Sequence, residues 1–290
     1  MREWISGRNP VYETLRAKRR HVFRLVLARG IKLEGQLPEI LRLARLRGLA
    51  PEEAPRDKLD ALSNHHQGVA LEASEYPYAA LEDLIQNARN QPEPPFFLLL
   101  DLIQDPQNLG TLLRTAEAVG IHGVVIPSAQ AAQVTPTVVH ASSGATEHLL
   151  VAQHNLAQAI DRFKALDVWV YGLDEAPRSR TPSELRLDGG VALVVGNEGS
   201  GLRELVRKKC DELLRLPMRG KIESLNAAAA GSIALYLARQ ARGEPEARRG
   251  KFLRFRTIRA FARALEAPLA RQSVFLRFAV LWLVIVPSRR

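Results

Sequence analysis

Two stretches of the chain, FFLLL (96–100) and VALVV (191–195), are apolar at every position. A strand with one wet face alternates apolar and polar residues. One that does not alternate is buried on both faces, as in a parallel sheet covered by helices. Further strand-like runs lie at GVVIP (123–127), VWVYGL (168–173) and ELLRLP (212–217). Helical patterns lie between them, at 109–119 closed by Gly120, 134–143 and 155–165, with a last helix over 225–242. The expected fold class is therefore α/β with a parallel sheet.

The first 85 residues read as a smaller α/β module. Asn9 and Pro10 read as N-cap and first helical position. HVFRLVLA (21–28) and HQGVALEA (66–73) read as strands, and LPEILRLARLRG (37–48) as an amphipathic helix stopped by Gly48. The segment NQPEPPF (90–96) has three prolines within four positions, which no helix continues through. The expected organisation is a small module at 1–85, a Pro-rich linker at 86–95, a larger domain at 96–242 and an extension at 243–290.

The net charge of +10 is concentrated at the two ends. Residues 1–32 carry nine basic and two acidic side chains, and residues 242–290 twelve and three, whereas the middle is near neutral. Such ends suit a polyanionic partner such as nucleic acid. Within the extension, Arg256, Arg259 and Arg263 fit one helical face, and FAVLWLVIVP (278–287) a short buried strand. No apolar stretch follows the charged start, and 278–286 is shorter than the ~20 residues of a spanning helix. A cytoplasmic protein without membrane contact is expected. The single cysteine, Cys210, excludes an internal disulfide framework. Lys208 and Lys209 beside it would lower its pKa, but a lone cysteine is more often a small buried hydrophobe.

Three segments carry chemistry. GNEGSG (196–201) follows an apolar run but reads G-x-x-G-x-G, neither a dinucleotide fingerprint nor a P-loop. Glu198 at its centre repels phosphate, and the loop holds no lysine. It suits a phosphate-free ligand approached closely by backbone, and S-adenosylmethionine has that chemistry. DPQNLGTLLRTAEAVG (105–120) places Asn108 as a helix cap, with Gly110 and Arg114 on one face. RLPMRGKIESLNAAAAGS (215–232) carries Ser224 and Asn226 where a loop becomes a helix, then small residues over almost two turns. Such a face lets another backbone pass close.

Taken in order, these segments resemble the SpoU (TrmH) family of SPOUT-class RNA 2′-O-ribose methyltransferases. N-L-G-x-x-x-R appears as Asn108, Leu109, Gly110 and Arg114, and G-N-E-G-x-G as residues 196–201. P-M-x-G-x-x-x-S-L-N appears as Pro217, Met218, Gly220, Ser224, Leu225 and Asn226. ASSGATEHL (141–149) also looks like the family's segment between motifs. The resemblance is strong over 95–241. Residues 5–75 resemble the family's small L30e-like RNA-binding domain.

The resemblance implies a SPOUT-type parallel sheet with a C-terminal trefoil knot, S-adenosyl-L-methionine as cofactor, and a homodimer. It implies cofactor contacts at Gly196, Leu216, Met218, Leu225 and Asn226, and catalytic roles for Asn108, Arg114, Glu198, Ser224 and Asn226. Arg114 would lie near the partner's cofactor, anchoring a phosphate and a developing alkoxide. Glu198 is the alternative acid–base group, or ties its own loop together through backbone N–H groups. No metal is implied. Ala228 departs from the serine frequent there, which puts one minor hydrogen bond in question. The expected reaction is ribose methylation of ribosomal RNA, closest to enzymes that modify a guanosine of 23S rRNA. The alternatives are the same reaction on tRNA, or a non-catalytic RNA-binding ribosome-assembly factor. A dinucleotide-dependent oxidoreductase is disfavoured by the missing G-x-G-x-x-G.

Overall fold

A computed structural model describes residues 2–221 and 224–243. The expected helix and strand of the extension lie outside the described residues. The N-terminal part runs β1 (Arg2–Ser6), α1 (Arg8–Ala17), β2 (Val22–Ala28), α2 (Leu37–Leu46), β3 (Pro51–Ala54), α3 (Arg56–Asp60) and β4 (Val69–Ser74). Its four strands form one sheet in the order β1-β4-β2-β3. β4 is antiparallel to β1 and β2, and β3 joins β2 in parallel. Asn9 is not the cap of α1. Gly7 turns the chain with φ +96°, a backbone conformation open chiefly to glycine, so the helix starts at Arg8 and Pro10 falls inside its first turn. β3, PEEA, is an exposed edge strand with no apolar periodicity to betray it.

The larger part begins with α4 (Leu81–Arg89), which runs into the expected linker. Then follow β5 (Phe96–Asp101), α5 (Pro106–Val119), β6 (Gly123–Ile126), α6 (Pro136–Ala141), β7 (Val151–Gln153), α7 (Leu156–Lys164) and β8 (Trp169–Leu173). β9 (Val191–Gly196), α8 (Glu204–Lys209), β10 (Glu212–Leu214) and α9 (Ala227–Ala241) complete the described chain. Six strands form one sheet in the order β10-β8-β9-β5-β6-β7, and every pairing is parallel. Every residue of β5 and of β9 is buried, as their unbroken apolar runs require. The expected strand at 212–217 stops at Leu214, and Leu216 and Met218 leave the sheet. The last helix starts at Ala227, two residues later than its pattern, because Asn226 caps it.

Glycine sets two close approaches. A Cβ on Gly110 would stand 2.4 Å from the Ala141 Cβ and 3.0 Å from the Ser142 nitrogen, so α5 and α6 touch there. One on Gly231 would stand 2.5 Å from Leu112 Cδ2 and 3.1 Å from Val195 Cγ2. The small residues of α9 thus seat it against both α5 and β9.

The two sheets are joined by a buried ion pair. Arg20 Nε and Nη2 donate to Glu147 Oε2 and Oε1, each at 2.9 Å, with both side chains almost fully buried. Arg20 Nη1 also donates to Glu3 at 2.8 Å and to the Ser74 carbonyl at 2.9 Å. Beside it the Tyr76 hydroxyl donates to the Leu149 carbonyl at 2.7 Å, and burial pushes its pKa up to about 12. The Pro-rich segment is also held, through Glu93 to Arg239 and the Pro94 carbonyl to Arg242, both on or just after α9.

Candidate functional site

β5 and β9 are neighbours in register, so Asp101 pairs with Gly196 at their carboxyl ends. Chain order reverses between these strands, because β6 and β7 lie beyond β5 while β8 and β10 lie beyond β9. Crevices at such switch points bind ligands in parallel sheets. Here the turn from β5 to α5 and the 196–201 loop meet.

The 196–201 loop folds back on itself. Gly201 N donates to the Asn197 carbonyl at 3.1 Å, and a Cβ on Gly196 would stand 2.3 Å from the Gly201 carbonyl carbon. Asn197 Oδ1 accepts from Gly199 N, Ser200 N and Ser200 Oγ at 3.0, 2.8 and 3.0 Å. Asn197 therefore ties the loop, not Glu198 through backbone N–H groups. Glu198 Oε1 instead accepts from the side-chain amides of Asn108, at 2.7 Å, and Asn226. Asn226 Nδ2 also donates to Asn108 Oδ1 at 3.1 Å. One residue from each motif thus meets at one carboxylate.

The spacing offers Asn108 as the cap of α5 and either Ser224 or Asn226 as the cap of the last helix, and only the second expectation holds. Asn108 does not cap α5. Asp105 does, accepting from Gln107 N at 3.0 Å, which frees Asn108 to face Glu198. Asn226 is the cap of α9, its Oδ1 accepting from Ala228 N at 2.9 Å and Ala229 N at 3.1 Å. That leaves its Nδ2 for the carboxylate, so the cap fixes which way the amide points.

A cavity of about 410 Å³ opens beside the loop, within the ~300–1,000 Å³ usual for small-molecule sites. Gly196, Leu216, Met218, Leu225, Ser224 and Glu198 all line it. Leu173, Val195, Leu214 and Ala227 add an apolar wall, and Asp174, Glu175, Arg207 and Arg215 a charged rim. Arg207 is paired with Asp174 at 3.0 Å. A second cavity of about 360 Å³ lies across the loop, bordered by Gln104, Asp105, Asn108 and 197–200. Glu198 faces both.

Arg114 is placed apart. It lies six residues along α5 from Asn108, a rise of about 9 Å, donates to Ser143 Oγ at 3.1 Å and borders a cleft with Asn9, Arg16 and Gln36 of the N-terminal part. Cys210 is not activated. Burial, with Asp211 next to it, pushes its thiol up to about 12, and Lys208 and Lys209 are spent on Glu204 and Asp161, each at 2.6 Å. Among the described residues no group of three or more His, Cys, Asp and Glu is placed to hold a metal ion, and no helix is long and apolar enough to cross a membrane.

Residues 95–236 match the family model described as the SpoU rRNA Methylase family, and residues 4–79 match RNA 2′-O ribose methyltransferase substrate binding. A putative TrmH family tRNA/rRNA methyltransferase of Bacillus subtilis, YacO, is 42% identical over 238 residues, 81% of this chain and 94% of that one. The chain belongs to the SpoU (TrmH) family of RNA methyltransferases. A relative from Mycolicibacterium smegmatis, an uncharacterized tRNA/rRNA methyltransferase, is 41% identical over 83% of this chain and 77% of its own. The SpoU methyltransferase AviRb of Streptomyces viridochromogenes, solved in complex with the cofactor AdoMet, is 25% identical. It superposes with a TM-score of 0.69 over 83% of this chain and 90% of that one. Asp101 and Arg203, which meet beside the 196–201 loop, were not picked out by motif reading, whereas Asn197 is the asparagine of G-N-E-G-x-G. The one signal was Asp101 itself, a lone carboxylate closing a wholly apolar strand.

Proposed function

We propose that this protein transfers a methyl group from S-adenosylmethionine to a ribose 2′-hydroxyl of ribosomal RNA, at a guanosine of 23S rRNA. The observation that carries the reading is the meeting of Asn108, Glu198 and Asn226 beside the 410 Å³ cavity. The cavity's chemistry fits the cofactor. Leu173, Leu214, Leu216 and Leu225 suit a planar base, Glu198, Asp174 and Glu175 suit a cation, and Arg215 suits a carboxylate. Bound there, S-adenosylmethionine supplies an electrophilic methyl on its sulfonium.

The chain's own work is alignment and proton handling. Placing two reactants in line supplies ~7–11 kcal/mol. Glu198 Oε1 is occupied by the two amides, while its Oε2 has no partner among the described residues. Oε2 accepts the ribose hydroxyl's proton. Asn108 and Asn226 hold the carboxylate's plane, and Ser224, on the same wall, orients the nucleotide.

Arg114 acts on the site of a second copy, anchoring phosphate beside the reacting hydroxyl, since it lies away from its own Glu198. Such a homodimer would pack α5 and α9, joined by the Thr115–Ser232 hydroxyl contact at 2.9 Å, across their outer face. Ile233 and Tyr236 stand exposed on that face of α9. The trefoil knot belongs to the same reading, supported by the close seating of Gly231 on α5 and β9. Residues 1–85, an L30e-like module, recognise RNA through their basic surface, with residues 96–242 as the catalytic domain of a cytoplasmic enzyme. A second reading, tRNA as substrate, is favoured by the relatives whose names include both RNAs. Incubating the full chain with methyl-labelled S-adenosylmethionine and, separately, 23S rRNA, 16S rRNA and tRNA tests the proposal. Label in a 23S guanosine supports it, and label confined to tRNA selects the second reading.

A further inference from the structure

Asp101 is fully buried at the carboxyl end of β5, and among the described residues its carboxylate is hydrogen-bonded by Arg203 alone. The backbone N–H of Arg203 donates to Oδ2 at 2.8 Å, and its Nε donates to Oδ1 at 2.7 Å. Arg203 stands two residues past the 196–201 loop and is the N-cap residue of α8. Its side chain is 45% exposed, so solvation alone gives it no reason to lie on a buried carboxylate. The strand register sets the contact, because Asp101 pairs with Gly196, where the same loop begins. The loop thus leaves the sheet beside Asp101 and is drawn back to it at its exit. Leu102, directly after Asp101, takes φ +59°, turning the chain away toward α5 and leaving the carboxylate facing the loop. One helical turn on, Arg207 grips Asp174 on the cavity wall, so α8 is fastened at two points around the cavity.

We propose that Asp101 is a positioning residue: through Arg203 it presets the 196–201 loop in the form that receives S-adenosylmethionine. This rests on the cofactor reading given above. Asp101 does not reach the reactants itself and acts through Arg203. A ligand that binds one form of a loop loses apparent affinity by the fraction of time that form is populated. If loss of the latch leaves the loop competent a tenth of the time, the apparent Kd rises about tenfold.

The test measures S-adenosylmethionine affinity by calorimetry, unfolding temperature, and amide exchange at 199–202 against exchange in β5, all on the full chain. Arg203→Ala and Asp101→Asn should each raise the cofactor Kd roughly tenfold and speed exchange at 199–202 while β5 stays protected. The double variant should lose no more than either single one. Arg203→Lys should restore affinity only in part, because an ammonium lacks the planar fork. Glu204→Gln, which removes an exposed pair with Lys208, is the control and should match wild type. If Asp101→Asn does not fold, Arg203→Ala and Arg203→Lys decide alone. Equal cofactor Kd in Arg203→Ala and wild type overturns the latch. A lowered unfolding temperature with unchanged Kd does the same, assigning Asp101 to the fold. Failure of the wild-type chain to bind cofactor overturns the function reading instead.

Discussion

Asn108 and Glu198 are ninety positions apart in the chain and 2.7 Å apart in space, amide nitrogen to carboxylate oxygen. Asn226 closes the group from a third element, and its other amide atom caps α9. Helix capping and the proposed catalytic geometry are therefore carried by one side chain. Two substitutions separate them. Asn226→Ala should lose the cap, at about 1 kcal/mol of stability, together with methyl transfer. Asn226→Asp keeps a capping oxygen but sets a second carboxylate against Glu198. Its unfolding temperature should stay near wild type while single-turnover transfer falls at least tenfold. Wild-type transfer in Asn226→Asp would remove the cluster from the mechanism.

Gly196 has no room for even one methyl group. A Cβ there would stand 2.4 Å from the Gly201 oxygen and 2.6 Å from the Leu202 nitrogen, all backbone. Gly196→Ala should therefore open the loop, rather than fill the cavity, and weaken cofactor binding while the sheet stays folded. Calorimetry and circular dichroism on the same sample check this. Full affinity in Gly196→Ala contradicts the loop geometry.

The buried Arg20–Glu147 pair makes the N-terminal part a structural element of the whole described chain. Removing one partner of a buried pair strands the other, a loss of about 3–5 kcal/mol. Arg20→Met should accordingly lower urea stability by that order, and Arg20→Met with Glu147→Leu should recover much of it. The separate core that the sequence suggests for residues 1–85 understates this coupling.

Stability should depend on pH through His122. Its Nδ1 accepts the Phe96 N–H at 3.1 Å, and burial, then Arg242, hold its pKa below the ordinary 6.5. As pH falls the unfolded chain takes up this proton first. The contribution is full above the unfolded value and is lost as pH drops toward the folded one. Between about pH 7 and 5 the wild type should lose stability more steeply than His122→Asn, read from urea midpoints. Parallel slopes would show that His122 is not the titrating group.

Much of this architecture was legible in the sequence. β5 and β9 stood out because fully buried strands cannot hide their composition, and the three motifs named the residues that meet at the site. β3, PEEA, was not legible, since an exposed edge strand needs no apolar pattern. Nor was the cap of α5, because Asp105 and Asn108 are equally good capping residues and only the packing against Glu198 decides between them. Asp101 and Arg203 lie 102 positions apart, and no local rule pairs them. Neither does local pattern foretell that Arg114 faces a different cleft from the Asn108 six residues before it.

The central claim is that the group formed by Asn108, Glu198 and Asn226 directs methyl transfer to a ribose hydroxyl. The most direct measurement is nucleoside mass spectrometry of 23S rRNA methylated by wild type and by Glu198→Gln, both first shown to bind S-adenosylmethionine. One ribose-methylated guanosine is expected with wild type, and at least a tenfold lower yield with Glu198→Gln. A methyl group on a base, or equal yield from Glu198→Gln, would contradict it.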